Sequence, residues 1–398
     1  MHIAIYGGSF NPPHLGHVAA ARHVLAALAP DRLLVIPAGM PPHKALKGDS
    51  PCARERFRLA QLAFGQLPRT LVSDMELRRA GKSYSVDTLE ALRAEQPDAA
   101  LHLVMGSDML LSMETWHEYR RIMELATLVA FPREAGELPA LRAQAAHLKK
   151  SYGARVLLLD VEPLPMHSTE LRAALHARGG LERLPKAVYA EIIRHRLYGA
   201  RPNLAWLREQ AHSFLPELRI PHVAGCEAEA ERLAARWGVP PAFAAEAGIL
   251  HDITKKFKTD DQLRMCEKYG IMNDIVEIEH PKLLHAKTGA ALARDLFGIS
   301  DEVYSAIRWH TVGRADMTLL EQILYMADYI EPTRVFEGVE RLRALAYEDL
   351  DAAMAAGLEM SRDEVLGKGA EPHPDAIAAL AWFCAAKPPI SEGDDETI

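Results

Sequence analysis

Cysteine is scarce in this chain: four residues in 398 (Cys52, Cys226, Cys266 and Cys384), no two of them in CxxC spacing. A disulfide framework and a zinc site built through sulfur are both disfavoured. Long apolar runs are also missing. None approaches the ~20 residues of a membrane span, and Met1 leads straight into an alternating stretch without the basic and apolar segments of a secretory signal. A cytoplasmic protein with no membrane partner is expected. Nor is there a basic surplus: 46 Lys and Arg against 54 Asp and Glu leave a formal charge of −8 and a pI near 6.1. That argues against a nucleic-acid partner but not against nucleotides, which need only a local positive cradle. The last absence is positional. Strand-like alternation stops near residue 200, so a chain already longer than one core usually organises divides in two.

What is present begins at the first residue, with MHIAIYGGSFNPPHLGH. Ile3 and Ile5 alternate as a short buried strand. Gly7-Gly8 break it, Asn11-Pro12-Pro13 turn the chain, and VAAARHVLAALA continues from His17 as a helix. A strand, a glycine turn and a helix start make a phosphate cradle, here rimmed by Gly7, Gly8, Ser9 and Phe10, because backbone N–H groups and the positive helix end converge there. His14 and His17 stand three apart. With the first helical turn beginning near Pro13 they share one face and can both address a phosphate.

Further along, strand-like segments (residues 32–36, 70–76, 101–105, 127–131 and 155–160) alternate with helical ones (53–66, 86–95, and stretches from Ser168 and from Pro185). This alternation predicts an α/β doubly wound parallel sheet, a Rossmann-like fold whose ligands bind beyond the carboxyl ends of the strands. Polar residues do follow the strands: His43-Lys44 in PAGMPPHK, Asp108 in GSDML, and Ser168, Thr169 and Arg172 in MHSTELR, whose hydroxyls can cap a helix.

GGSFNPPHLGH resembles the signature of the HxGH nucleotidyltransferases. SYSVDTLEAL, GSDML, ETWHEYRRI, MHSTELR and LPKAVYAEIIRHRLYG are similar, in turn, to segments of the nicotinate-nucleotide adenylyltransferases. The resemblance implies attack of a mononucleotide phosphate on the α-phosphorus of ATP, with no covalent enzyme intermediate, so that catalysis is positioning and charge stabilisation. In that reading His14 and His17 donate to the phosphates, Lys44 and Arg172 neutralise developing charge, and Mg²⁺ arrives with the triphosphate. Asp108, Ser168 and Thr169 contact the nucleotide. Trp116 stacks on the pyridine ring of nicotinate mononucleotide, with Ser85 and His117 offering main-chain donors to its carboxylate. Two positions depart from the family pattern: His167 replaces the first Ser of SSTxIR, and Ser85 replaces a Thr. HxGH enzymes using nicotinamide mononucleotide or phosphopantetheine remain alternatives.

Residues Tyr198 to Pro202 carry a helix-stop signal, which places the first domain at 1–199 and a second at 203–386. The second reads as all-α, with helical segments at 204–214, 221–237, 241–253, 260–268, 281–296, 301–309, 317–330, 340–360 and 374–385, before an acidic tail at 387–398 expected to be disordered. His222, the pair His251-Asp252, His285, His310 and Asp328 fall on different helices. Neighbours on a helix point about 100° apart, so His251 and Asp252 can lean toward one ion. Imidazole with carboxylate and no thiolate suits Fe, Mn, Co or Zn, and mixed sites of this kind often hold two metals. One ion fits His222, His251, Asp252 and Asp328. Asp252 can bridge to a second ion on His285 and His310.

The order H…HD…H…H…D, with AGILHDITKKF, LLHAKTGA, AIRWHTVGR and ILYMADYIEPTRVFEGV, resembles the HD-domain symmetrical bis(5′-nucleosyl)-tetraphosphatases. The resemblance implies metal-dependent cleavage of diadenosine tetraphosphate to two ADP, with Lys255 on phosphate and Arg308, Thr311 and Arg334 lining the pocket. It selects His285 over His280. HDITKK in place of HDxxED, and the lack of a GYP segment, set aside the guanosine-tetraphosphate and cyclic-di-GMP hydrolases. A non-hydrolytic metal-binding or dimerisation module, or a hydrolase for another nucleotide, stays open, as does self-association.

Overall fold

The computed structural model describes residues 1–41 and 50–385, which form two compact units divided between Arg201 and Pro202. Lys44 and the stretch 387–398 lie outside the described residues.

In the first unit β1 (His2–Gly8), β2 (Arg32–Pro37), β3 (Thr70–Val72), β4 (Ala100–Gly106), β5 (Ala126–Phe131) and β6 (Val156–Leu158) form one sheet in the order β3-β2-β1-β4-β5-β6. Every pairing is parallel. Parallel strands joined by helical crossovers are covered on both faces, and β1 is accordingly buried from Ile3 through Tyr6. Ile3, Ile5, Leu34, Leu103 and Leu128 pack with Val86 and Leu89 of the helix Ser85–Glu95. Fully burying a side chain of this kind contributes about 1.5–3 kcal/mol. The strand order reverses between β1 and β4, and a crevice opens at that switch point beyond their carboxyl ends.

The second unit is helical over its described residues, and none of its helices is long and apolar enough to cross a membrane. The helices Ile220–Trp237 and Pro241–Leu250 cross at backbone contact, because Gly248 has no Cβ; one there would stand 2.7 Å from Glu227 Cα. That crossing brings His222 beside His251.

Several elements differ from the sequence reading. The segment 340–360 is two helices, Val339–Glu348 and Leu350–Gly367, divided at Asp349, whose carboxylate caps the second by accepting from Ala352 N at 2.9 Å. The helix expected over 241–253 stops at Leu250, so His251 and Asp252 lie on the turns that follow it. The helix Leu138–Tyr152 escaped notice because it buries only Leu141 and Leu148, too sparse a stripe for a periodic signal. The helix Ser168–His176 is preceded by His167 rather than capped by a hydroxyl; Ser168 and Thr169 form its first turn.

Candidate functional site

The crevice at the switch point holds a cavity of about 350 Å³ lined by Gly7, Gly8, Ser9, Phe10, His14, His17, Asp108, Ser168 and Thr169. The helix Leu15–Leu28 starts one residue after His14, and the two histidines form its cap reciprocally. His14 Nδ1 accepts from His17 N at 3.4 Å, and His17 Nδ1 accepts from His14 N at 3.2 Å. Their rings stack with centroids 3.7 Å apart. Because each Nδ1 accepts a backbone proton, each neutral ring carries its own proton on Nε2. Both rings are held neutral. Burial, reinforced by Arg133 and His167, brings the His14 pKa down to about 4, while burial and neighbouring His14 hold His17 well below its usual value. His14 Nε2 is buried without a hydrogen-bond partner among the described residues, a donor awaiting an acceptor.

Arg172 sits behind this wall. Its guanidinium donates to the Asn11 carbonyl at 2.8 Å and to Thr169 Oγ1 at 3.2 Å, fastening the turn that precedes His14. The cation that lines the cavity among the described residues is Arg133, just past β5, paired with Asp108 at 2.8 Å. A further arginine outside the sequence reading is fully buried. Arg56, 0 % exposed, donates to Ser9 O at 2.8 Å and Gly39 O at 3.0 Å, tying the loops after β1 and β2 together. Ser83 reinforces the second loop by accepting from Gly39 N and Met40 N.

A smaller cavity of about 180 Å³ adjoins the first through Gly7, Gly8, Ser9 and Met109 and brings together Tyr84, Ser85, Trp116 and His117. Trp116 and His117 lie on the short link between the turn Met113–Thr115 and the helix Tyr119–Leu125, and Ser85 opens the helix Ser85–Glu95. A flat aromatic wall beside a helix N-terminus suits a planar ring bearing a carboxylate.

In the second unit His222, His251, Asp252, His285, His310 and Asp328 converge from five helical segments, and five of the six are at most 6 % exposed. Each imidazole has its Nδ1 on a fixed acceptor: Glu331 Oε1 for His222 (2.9 Å), Gly248 O for His251 (2.7 Å), Lys282 O for His285 (2.5 Å) and Ile307 O for His310 (2.6 Å). The four Nε2 lone pairs therefore face inward. His222 Nε2 lies 3.3 Å from His251 Nε2 and 3.0 Å from Asp328 Oδ1, and His285 Nε2 lies 3.1 Å from His310 Nε2 and 3.2 Å from Asp252 Oδ1. Asp252 Oδ1 accepts no hydrogen bond among the described residues. Acceptors packed against acceptors with their outer nitrogens locked are the donor set of a divalent-metal centre. Two overlapping ligand groups result, His222–His251–Asp328 and His251–Asp252–His310. His280 is exposed and not part of the cluster.

Cations ring the centre. Lys255 Nζ is 2.9 Å from His285 Nε2 and 3.6 Å from Asp252 Oδ1, and Arg334 donates to Asp328 Oδ1 at 2.7 Å. Arg219, absent from the sequence reading, donates to Asp252 Oδ2 at 2.6 Å. Its place three residues before His222, on the same helical entry, was the available signal. Arg308 stacks on Trp309 at 5.0 Å.

Comparison with known proteins gives two family matches: cytidylyltransferase-like over residues 5–174 and HD domain over residues 219–333. A protein of Symbiobacterium thermophilum named "probable nicotinate-nucleotide adenylyltransferase" is 38% identical over 197 residues, covering 49% of this chain and 94% of that one. A Mycoplasma pneumoniae protein named "probable nicotinate-nucleotide adenylyltransferase/Ap4A hydrolase" is 28% identical over 367 residues, covering 90% of this chain and 98% of that one. Among solved structures, a "predicted HD superfamily hydrolase involved in NAD metabolism" from Clostridium acetobutylicum is 34% identical, covering 47% of this chain and 100% of that one, with a TM-score of 0.46. Through its first unit the chain belongs to the nicotinate-nucleotide adenylyltransferases, and it carries an HD domain on the same polypeptide.

Proposed function

We propose that the first unit transfers AMP from ATP to nicotinate mononucleotide, releasing nicotinate adenine dinucleotide and pyrophosphate as a step of NAD biosynthesis. The observation that carries it is the pair of neutral Nε2 donors, His14 buried and unpartnered, facing a cavity that adjoins an aromatic ring pocket. ATP lies along the larger cavity with its phosphates against His14 and His17. The mononucleotide enters from the smaller one, so its phosphate meets the α-phosphorus where the two join. Arg133 supplies positive charge from the cavity wall, and Arg172 acts by holding the Asn11 turn in place. Lys44 remains the second charge donor in this reading. Mg²⁺ accompanies the triphosphate, and Asp108, Ser168 and Thr169 border the nucleotide. Trp116 covers the pyridine ring, with the N-terminus of the Ser85 helix and His117 near its carboxylate. Trp116→Ala should raise KM for the mononucleotide about 10-fold, the effect of losing ~1.4 kcal/mol of contact, with KM for ATP little changed in steady-state assays.

The second unit, in the same reading, hydrolyses diadenosine tetraphosphate symmetrically to two ADP. His222, His251, Asp252 and Asp328 would hold one ion of Fe, Mn, Co or Zn, and His285 and His310 would hold a second, with Asp252 shared. When bound, such ions polarise phosphoryl oxygens and activate water. The chain's own cations, Lys255, Arg219 and Arg334, bind the polyphosphate beside them. Glu331, 0 % exposed, positions His222 by accepting from its Nδ1 at 2.9 Å. A Cβ on Gly225 would collide with Glu331 Oε2. Gly225→Ala should therefore lower metal affinity about 10–100-fold, as loss of an outer hydrogen bond to a ligand does, in a chelator-competition titration. Incubating the full-length protein with Mn²⁺ or Fe²⁺ and diadenosine tetraphosphate, while measuring bound metal, tests the hydrolase. ADP as sole product supports it; bound metal without ADP release points instead to a non-hydrolytic metal module. ATP with nicotinate mononucleotide and Mg²⁺, followed by pyrophosphate release, tests the transferase.

A further inference from the structure

Shortly after the helix that carries Asp328, residues 333–336 form one wall of a cavity of about 540 Å³, of which the reactions above use only Arg334. Two aromatic rings line it: Tyr329 and Phe336 have centroids 5.2 Å apart with their planes inclined by 57°. Met360 and Glu364, from the helix Leu350–Gly367, complete the lining. Arg334 belongs to this cavity and to the metal centre at once, since its guanidinium donates to Asp328 Oδ1 at 2.7 Å and to the Asp328 carbonyl at 2.9 Å. The wall is preformed. Arg343 donates to the carbonyls of Ile330 (2.8 Å), Glu331 (2.9 Å) and Arg334 (3.0 Å), which fixes the loop carrying Arg334 and Phe336.

We propose that this cavity binds the nucleoside end of a nucleotide whose phosphates lie at Arg334 and Asp328. The volume falls in the ~300–1,000 Å³ range of small-ligand sites, and the rings offer a stacking platform for a base. The two ends set the orientation. The Arg334 end attracts phosphate beside the Asp328 cluster, whereas at the other end the Glu364 carboxylate, which also accepts from Lys368, can accept an N–H from an exocyclic amino group such as that of adenine. The phosphate half of this assignment rests on reading the second unit as a nucleotide hydrolase; the base half rests on the cavity itself.

Calorimetric titration of Mn²⁺-loaded full-length protein with ADP and, separately, with pyrophosphate tests the assignment. Phe336→Ala should weaken one ADP-binding event about 10-fold, as loss of an aromatic platform does for a stacked base, and leave pyrophosphate binding unchanged. Phe336→Leu keeps the apolar packing without the flat ring and should show the same selective loss. Any ADP bound by the first unit gives an event that neither change touches. ADP affinity equal to wild type in Phe336→Leu, or parallel loss of ADP and pyrophosphate, would overturn the proposal. A selective ADP loss in a protein that cannot cleave diadenosine tetraphosphate would sink the hydrolase reading and leave the nucleoside site standing.

Discussion

Replacing His17 with alanine is expected to lower kcat for adenylyl transfer by about 10²–10³, the usual effect of removing one preorganised transition-state donor, with smaller changes in either KM. His17 Nδ1 also accepts from His14 N, so the substitution removes half of a helix cap. Losing such a cap costs ~1 kcal/mol, a shift in Tm of roughly 2–4 °C for a unit of this size. Turnover should therefore collapse in protein that is still folded at assay temperature, which a thermal melt beside the rate measurement would show. Unchanged kcat would rule out the donor role. The same geometry has a consequence in pH. His14, brought down to about 4 mainly by burial, and His17, lower still than usual, are neutral across the physiological range. Each Nε2 then carries the single proton of a neutral ring, and neither ring sets an acid limb near 6.5, the unperturbed value. Stability carries the opposite signature. The unfolded chain takes up a proton at His14 near 6.5 and the folded chain does not until about 4, so stability is full above that window and falls as pH drops through it, and the depressed His17 acts in the same direction. Imidazole resonances of either residue titrating near pH 6.5 by NMR would contradict the neutral-donor arrangement.

Asp252→Asn is expected to abolish hydrolysis, by at least about 10³-fold if the ions supply several kcal/mol of transition-state stabilisation, while adenylyl transfer proceeds at the wild-type rate. The reason is the charge balance at the centre. Asp252 contributes both of its oxygens, Oδ2 accepting from Arg219 and Oδ1 facing His285 and His310. An amide there removes negative charge that a bound divalent metal would need and turns one acceptor into a donor aimed at an imidazole lone pair. Metal analysis should show a sub-stoichiometric content in the purified variant. Full metal occupancy together with wild-type ADP release would mean that Asp252 is not the bridge between the two ligand groups. Loss of both activities together would indicate that the units do not act independently.

The residues that were legible in the sequence share a property: their relation is local. His14 and His17 are one helical turn apart, and the turn that makes them neighbours also makes them each other's cap. His251 and Asp252 are adjacent, so wherever the backbone ends its helix they reach the same centre. The strand and helix alternation announced the doubly wound sheet for the same reason, since burial repeats with a short period along the chain. Where that period is diluted, as in Leu138–Tyr152, the helix went unseen.

The contacts that were not legible act across long separations. Arg172 reaches the Asn11 carbonyl 161 residues away, and Glu331 orients His222 across 109. In each hydrogen bond a side chain with several rotatable torsions, the donor Arg172 in one and the acceptor Glu331 in the other, meets a partner far away in the sequence. A loop that ends a strand can be recognised from its glycines and prolines, but not which of its arginines turns into the crevice. Arg133 does so because Asp108, at the end of the neighbouring strand β4, draws its guanidinium there. The opening motif and the HD pair were thus written in spacing alone. The cation on the cavity wall, the clamp of Arg56 on two loops and the carboxylate behind His222 came from packing, because a long side chain settles its direction only when every competing acceptor is already in place.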